Sequence, residues 1–263
     1  MMLRPSSAGP WPPWRIVRAA GRLLTAAIHL LYGIAIVAFR WPFLDEGARQ
    51  ASVARWSRRM LRCLGLALAV RGQPRPGTAL VVANHVSWLD IAALLSVLPG
   101  ARFVAHAGLR RWPLLGWLST AVGTIFIERE RKRDALRVVH QVAQALALGQ
   151  QVAVFPEGTN GGGPIPLPFH ANLLQAAIAG GAPLQPVALR YAEPGRRFSP
   201  SVVWLGETTL LGSLWAVANA HALCVRVTLL PAQDTRHAER RVLAQHVRAQ
   251  IATALAQDEA SPG

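Results

Sequence analysis

The chain has 263 residues, which is enough for one sizeable core with an appendage, and 52% of its residues are hydrophobic. Its formal net charge is +15 and its pI is about 11.7, and nearly all of its basic residues are arginines. A basic and apolar chain favours anionic membrane surfaces or anionic substrates, and the lack of zinc-ligand spacing, an RNP-like motif or a basic recognition helix argues against nucleic acid.

The first residues predict a disordered segment followed by an apolar helix. Residues 1–14 are rich in Pro and Ser and are expected to be disordered. Residues 23–39 form an almost unbroken apolar run. As a helix this run is about 25 Å long, which is marginal for a hydrocarbon core of about 30 Å. Arginines flank it on both sides, so the positive-inside rule does not favour a simple span.

A second helix is predicted over residues 48–70, basic in its first half and apolar in its second. The two helices indicate a membrane-associated hairpin over residues 15–70 that enters one leaflet from the cytoplasmic side. A single transmembrane anchor is the alternative, and a purely soluble helical cap is disfavoured. The two cysteines, Cys63 and Cys224, are far apart in apolar surroundings. They argue against a disulfide framework or a metal cluster, and they fit a reducing, cytosol-facing location.

Strand and helix patterns alternate over residues 71–256, and residues 257–263 are predicted to be a frayed tail. Continuous apolar strands between helices predict an α/β fold with a mostly parallel or mixed central sheet and helices on both faces. The predicted strands are 79–83, 102–105, 124–128, 151–155, 186–191, 202–205 and 223–230. The predicted helices are 88–98, 132–148, 171–179 and 236–255.

A histidine and a carboxylate lie at the first strand-to-helix turn of this region, in the segment Asn84-His85-Val86-Ser87-Trp88-Leu89-Asp90. Through such a turn Asp90 can fix the tautomer of His85 and stabilise its imidazolium, so that the pair can take a proton from a hydroxyl. Ser87 and Asp90 also fit a helix N-terminal capping box. The two interpretations are compatible, because capping would hold Asp90 still.

Residues 123–129 form a second motif, four β-prone residues that lead into Glu128-Arg129. An arginine at the end of a buried strand points into the crevice where α/β folds bind ligands, and guanidinium is a natural partner for phosphate. The alternative for Arg129 is a solvated, salt-bridged start of the next helix, which is the favoured interpretation for residues 131–133.

A glycine-rich loop, residues 155–164, follows another predicted strand. Its backbone N–H groups can bind anions, but it lacks the Gly-Lys-Ser/Thr ending of a nucleotide P-loop. Glu157 beside a phosphate would be repulsive, so it is expected to hold a backbone amide, an arginine or a substrate hydroxyl. By itself this loop could also be an ordinary Gly/Pro turn.

In this order the motifs resemble those of the lysophospholipid and glycerol-phosphate acyltransferases of phosphatidic acid synthesis. The similarity covers about residues 79–191. It consists of N-H-x-S-x-x-D at Asn84, His85, Ser87 and Asp90, G-x-I-F-I-x-R from Gly123 to Arg129, F-P-E-G-T from Phe155 to Thr159, and a V/I-x-P-V-like strand from Leu184 to Val187. The N-terminal apolar helices are also similar to those of the family.

This resemblance implies acyl transfer from an acyl thioester, carried by coenzyme A or acyl carrier protein, to the hydroxyl of a lysolipid, with 1-acyl-glycerol-3-phosphate preferred as acceptor. No metal or cofactor is implied. Arg-rich, Lys-poor usage hints at a GC-rich bacterial genome, and hence at the cytoplasmic face of the inner membrane. His85 would be the general base and Asp90 its orienting partner. The implied substrate-binding residues are Asn84, Ser87, Arg129, Glu157, Gly158 and Thr159.

Ser87 is not expected to act as a nucleophile, because the chain has no G-x-S-x-G elbow. The direct mechanism predicts sequential kinetics without a burst.

Three departures from the family pattern concern the acceptor. Asn160 follows F-P-E-G-T where the family often has Arg, His170 stands where it often has Lys, and His106 lies where another Lys is common. Histidines are only partly charged near neutral pH, so a lyso-ornithine lipid or another lyso-aminolipid is an alternative acceptor. A non-catalytic basic membrane-surface protein is a further alternative, although mere binding does not require a proton acceptor. A lipid hydrolase is disfavoured by the missing nucleophile elbow.

Overall fold

A computed structural model describes residues 12–111, 113–127, 132–161, 163–204, 206 and 208–257. Within them, seven strands form one sheet in the order β1-β7-β6-β2-β5-β3-β4. The strands are β1 (Leu66–Arg71), β2 (Ala79–Ala83), β3 (Arg102–His106), β4 (Ile125–Ile127), β5 (Gln151–Val154), β6 (Leu184–Ala192) and β7 (Leu223–Leu229). All neighbours pair in parallel except β6 and β7, which are antiparallel. The predicted mixed, mostly parallel sheet is confirmed.

Helices cover both faces of the sheet, as the alternating pattern predicted. Leu61, Leu94 and Val217 belong to the core on one face, and Val142 and Ile251 belong to the core on the other. The helices are α1 (Pro13–Ala35), α2 (Glu46–Cys63), α3 (Leu89–Leu95), α4 (Pro113–Ala121), α5 (Lys132–Ala147), α6 (Leu174–Gly180), α7 (Leu210–Asn219) and α8 (Arg240–Gln257). Helices α1, α2, α3 and α7 contribute to the first face, and α5, α6 and α8 to the second.

Helices α1 and α2 pack together as a hairpin. The imidazole of His29 stacks on the indole of Trp56, their ring centroids lying 5.3 Å apart. Nε2 of His29 is 2.9 Å from the Trp56 carbonyl oxygen, and Nε1 of Trp56 donates to the His29 carbonyl at 3.1 Å. In the described part of the chain, the helical stretch 13–43 is the one long and apolar enough to cross a membrane, judged by length and composition.

The predicted second helix over residues 48–70 is wrong in its second half. Helix α2 ends at Cys63, Gly65 adopts a positive φ of 85°, and Leu66–Arg71 is the edge strand β1, which pairs in parallel with β7. A short apolar run fits a strand as well as a buried helix, so its periodicity could not decide between them. The sheet therefore begins at Leu66, before the predicted domain boundary at residue 71.

The predicted strand over residues 202–205 is also wrong where the structure describes it. Pro200–Val202 is a short 3-10 turn, and Val203 and Trp204 follow without regular structure. Helices α4 and α7 were not predicted. Gly116 and Gly212 lie inside them, and glycine weakens a helical pattern.

Candidate active site

One loop carries His85 and another carries the F-P-E-G-T motif, and both begin at the carboxyl ends of neighbouring strands. β2 and β5 are parallel neighbours, so their carboxyl ends lie side by side, the usual place for ligands in α/β sheets. The loops contact each other directly. The backbone N–H of Gly161 donates to the carbonyl of His85 at 2.6 Å, and the His85 ring stacks on Phe155 with a centroid distance of 4.2 Å.

His85 and Asp90 form the pair that the sequence predicted. Nδ1 of His85 lies 2.8 Å from Oδ2 of Asp90. An ionised carboxylate can only accept, so Nδ1 carries the hydrogen and Nε2 is left as the basic nitrogen. The side chain of His85 is 20% exposed, whereas that of Asp90 is fully buried. The imidazole is therefore partly accessible, while its carboxylate partner is shielded from water.

Asp90 is held in place by further donors. The backbone N–H groups of Val86 and Ser87 donate to Oδ2 at 2.7 and 3.0 Å, and the hydroxyl of Tyr191 donates to Oδ1 at 2.7 Å. Burial and the neighbouring Asp90 raise the pKa of Tyr191 well above 10, so its hydroxyl keeps its proton. Tyr191 was not predicted as a site residue, since only the pairing of β6 with β2 brings it near Asp90.

Glu157 holds the backbone of the site. Its Oε1 accepts from the N–H of His85 at 2.8 Å, and its Oε2 accepts from the N–H of Leu167 at 3.0 Å. Burial raises the pKa of this carboxyl, while these two hydrogen bonds and the nearby imidazole act in the opposite direction. Of the partners considered from the sequence, the structure therefore shows backbone amides.

Asn84 and Ser87 are buried within the turn. The amide of Asn84 exchanges two hydrogen bonds with the backbone of Leu189, at 2.9 and 2.8 Å, and so ties the end of β2 to β6. Only the Asp90 half of the predicted capping box forms, because the hydroxyl of Ser87 has no hydrogen-bond partner among the described residues.

The remaining predicted residues lie around the F-P-E-G-T loop. Gly158 has a positive φ of 73°, and a Cβ on it would lie 3.2 Å from Cδ2 of His170. Thr159 and His170 are exposed to solvent. Arg129 lies outside the described residues.

Similarity to known proteins extends over most of the chain. Residues 68–190 match the sequence model of the Acyltransferase family. Over 199 residues, which are 74% of this chain and 76% of the other, the chain is 38% identical to the 1-acyl-sn-glycerol-3-phosphate acyltransferase of Neisseria meningitidis. The chain belongs to the acyltransferase family. The resemblance inferred from the four motifs is confirmed.

This acyltransferase has a second group of relatives. It is 33% identical to the lyso-ornithine lipid O-acyltransferase of Rhizobium meliloti over 260 residues, which are 92% of this chain and 88% of that one. Its fold matches the crystal structure of the 1-acyl-sn-glycerophosphate (LPA) acyltransferase of Thermotoga maritima with a TM-score of 0.75 at 20% identity, covering 95% and 98% of the two chains. The whole architecture, including the N-terminal helices, is therefore an acyltransferase fold.

Proposed function

We propose that this acyltransferase moves a fatty acyl group directly from an acyl thioester to the free hydroxyl of a lysolipid, with His85 as general base. The contact of 2.8 Å between His85 and the buried Asp90 carries this proposal. General base catalysis of this kind contributes roughly 10²–10⁴-fold to a rate.

In the proposed reaction, Nε2 of His85 accepts the hydroxyl proton as the lysolipid oxygen attacks the thioester carbonyl carbon. The new C–O bond forms, the C–S bond breaks, and the imidazolium returns the proton to the leaving thiolate. Asp90 stabilises the imidazolium between these two steps. Ser87 is fully buried, which supports direct transfer over an acyl-serine intermediate.

The preferred acceptor in this proposal is 1-acyl-glycerol-3-phosphate, with phosphatidic acid as the product. Support comes from the net charge of +15, from Arg129 as the proposed phosphate partner, and from the Neisseria relative. The donor is an acyl-coenzyme A or an acyl carrier protein, and both are anionic. The apolar helix α1 and the bacterial relatives support a place at the cytoplasmic face of the bacterial inner membrane.

A lyso-ornithine lipid is the second candidate acceptor. His170 lies against Gly158, and Nδ2 of Asn160 donates to the Trp204 carbonyl at 3.1 Å. An imidazole and an amide already bound to backbone offer less positive charge at the loop than lysine and arginine would. The Rhizobium relative supports the same candidate.

One assay separates these possibilities. Purified protein is given a labelled acyl thioester and either lysophosphatidic acid, lyso-ornithine lipid or lysophosphatidylcholine. His85→Ala should lower transfer at least about 100-fold. The control His140→Ala, which changes an exposed histidine of α5, should leave transfer unchanged. Near-normal turnover by His85→Ala, or hydrolysis without transfer by the wild type, would overturn the proposal.

The anion role of Arg129 is tested in the same assay. Arg129→Ala should raise the KM for lysophosphatidic acid more than that for the thioester, whereas Arg131→Ala should change neither. Equal effects of the two substitutions on the acceptor KM would contradict the proposed role.

A further inference from the structure

Helix α7 presents an apolar face to solvent. Its sequence, LLGSLWAVAN, contains no charged residue. Leu211 is 79% exposed and Trp215 is 38% exposed, and residues four apart lie on the same side of a helix. Ser213 and Val217 point the opposite way, into the protein. Leu211 and Trp215 therefore form an exposed apolar face on this helix.

The carboxyl end of α7 is bound to the apolar helix α1. Nη2 of Arg18 donates to the Asn219 carbonyl at 3.0 Å. Nη1 of Arg22 donates to the carbonyls of Ala218 and Ala220, both at 2.9 Å. These bonds satisfy carbonyls that a helix end leaves without intrahelical partners. The carboxyl end of α7 is thus fixed to α1, so a surface that binds α1 also lies close to α7.

The surface that suits α1 is a lipid bilayer. In α1 the exposed side chains include Leu24, Ile28, Leu31 and Tyr32, all more than half exposed. An aromatic and aliphatic helix face flanked by arginines fits the interface of an anionic membrane, where arginine meets headgroups and tryptophan lies at the boundary. The apolar face of α7 extends this surface, because α7 is bound to α1 by the arginine bonds described above.

The inner side of α7 is bound to the turn of residues 84–90 that carries His85 and Asp90, here called the catalytic turn. Nε1 of Trp88, between Ser87 and Asp90 in the sequence, donates to the hydroxyl of Ser213 at 3.0 Å. The segment that leads into α7 also contacts the F-P-E-G-T loop, through the hydrogen bond from Asn160 to the Trp204 carbonyl. Helix α7 therefore connects α1 with the catalytic turn, and the segment before α7 contacts the F-P-E-G-T loop.

We propose that α7 is a second membrane contact, in which Leu211 and Trp215 enter the interface of an anionic bilayer. The Trp88–Ser213 hydrogen bond holds the catalytic turn at that surface. If acyl transfer is the function proposed above, on which this last step rests, the lysolipid hydroxyl reaches His85 while its acyl chain stays in the membrane.

The membrane contact is tested by flotation of the full chain with phosphatidylcholine–phosphatidylglycerol vesicles. Leu211→Gln with Trp215→Gln should lower the partition coefficient about tenfold, because two apolar side chains no longer leave water. The control pair Leu136→Gln and Val242→Gln changes side chains that are 74% and 62% exposed on α5 and α8. The control should bind as the wild type does, and equal binding by both pairs would overturn the proposal.

A second readout does not depend on the strength of the α1 anchor. Brominated lipids quench tryptophan fluorescence at the interface, and Trp215→Phe should reduce the quenched fraction. An unchanged quenched fraction means that Trp215 stays in water, and the proposal is then wrong.

The link to the catalytic turn is tested with Ser213→Ala. For a long-chain lysolipid in vesicles the KM should rise several-fold, while kcat/KM for a water-soluble short-chain lysolipid stays the same. Equal loss with both acceptors would show a purely structural role for Ser213. If the wild type transfers no acyl group to either acceptor, the proposed function fails, while the flotation and quenching results still decide the membrane contact.

Discussion

The orientation of His85 depends on the Asp90 carboxylate, which is itself held by hydrogen bonds to both of its oxygens. Asp90 accepts four hydrogen bonds, from His85, from the backbone of Val86 and Ser87, and from the hydroxyl of Tyr191. A buried charge is stable only when donors replace the water that it has lost. Because these groups donate to both carboxylate oxygens, Asp90 cannot rotate without breaking several hydrogen bonds.

The first prediction concerns Tyr191→Phe. Among the described residues, Tyr191 is the one donor to Oδ1 of Asp90, and the substitution removes it. Hydrogen bonds to charged groups contribute about 1.5–3 kcal/mol. We expect the free energy of unfolding to fall by about 1–3 kcal/mol. We expect kcat to fall more than KM changes, because Tyr191 is fully buried and contacts Asp90 rather than solvent. Denaturation and steady-state kinetics measure the two effects.

The chain offers a matched control, since it contains only one other tyrosine. Tyr32 is 53% exposed on α1, and Tyr32→Phe should change neither stability nor kcat. A Tyr191→Phe enzyme with normal kcat would show that the three remaining donors suffice to position Asp90.

The second prediction is a pH dependence of stability that arises from Glu157. Burial raises the pKa of this carboxyl above its unfolded value, so the folded chain binds the proton more tightly. At pH values between the unfolded and the folded pKa of Glu157, the unfolded state carries fewer protons than the folded state. The free energy of unfolding therefore falls as pH rises through this range. Glu157→Gln cannot titrate. The wild type should therefore lose free energy of unfolding relative to Glu157→Gln as pH rises from about 4.3, the usual glutamate value.

Urea denaturation of both proteins across a pH series measures this difference. Glu46→Gln, which changes an exposed residue of α2, serves as the control and should show no such trend. A difference that grows in favour of the wild type with rising pH would mean that the two backbone hydrogen bonds outweigh burial.

At the scale of elements, the α1–α2 hairpin depends on one close approach. A Cβ on Gly33 would lie 2.3 Å from Nε1 of Trp56, whose ring stacks on His29 and donates a hydrogen bond to the His29 carbonyl. Gly33→Ala should therefore destabilise the packing by about 1–3 kcal/mol, the usual range for overpacking. Gly21 of the same helix has no atom within 4 Å of an added Cβ.

Proteolysis between the helices is a suitable measurement for this third prediction. Gly33→Ala should increase the cleavage rate in the connecting residues 41–45. Gly21→Ala should leave the rate unchanged or lower it, because alanine favours a helix by about 1 kcal/mol over glycine. The same rate for both variants would contradict a tight contact at Gly33.

The elements that the sequence predicted well are those with local signals. Ala79–Ala83 has the predicted bounds, because a fully buried central strand is continuously apolar. The His85–Asp90 contact was also predictable, since it closes within a single turn. In contrast, Leu66–Arg71 has the composition of a helix interior, and only its pairing with Leu223–Leu229 shows that it is a strand.

Long-range contacts at the site could not be inferred in the same way. The sequence indicated a backbone amide as one of three kinds of partner for Glu157, and only the structure shows that the amides are those of His85 and Leu167. The hydrogen bonds between Asn84 and the backbone of Leu189 had no sequence signal. Tyr191 has no motif of its own. Its contact with Asp90 spans 101 positions and depends on which strands are neighbours in the sheet.

At the scale of the whole molecule, the proposed membrane binding combines the positive charge with the apolar surface of α1. The net charge of +15 attracts anionic membranes over a distance set by salt, about 10 Å at 0.1 M and about 3 Å at 1 M. Apolar contacts of α1 are not screened. Binding to vesicles that contain phosphatidylglycerol should therefore fall with added salt to a constant residual level, and binding to pure phosphatidylcholine vesicles should not depend on salt.

The location of the charge matters as much as its amount. Arg55 and Arg59 are exposed on α2, beside the apolar helix α1, whereas Arg240 and Arg241 are exposed on α8, against the other face of the sheet. Both pairs can be changed to glutamine with the same loss of net charge. Each arginine near the bilayer contributes about 1 kcal/mol, which is about fivefold in binding. Substitution of the α2 pair should therefore weaken binding strongly at low salt, whereas substitution of the α8 pair should not. Equal weakening by the two pairs would mean that the protein responds to net charge alone and has no preferred membrane-facing side.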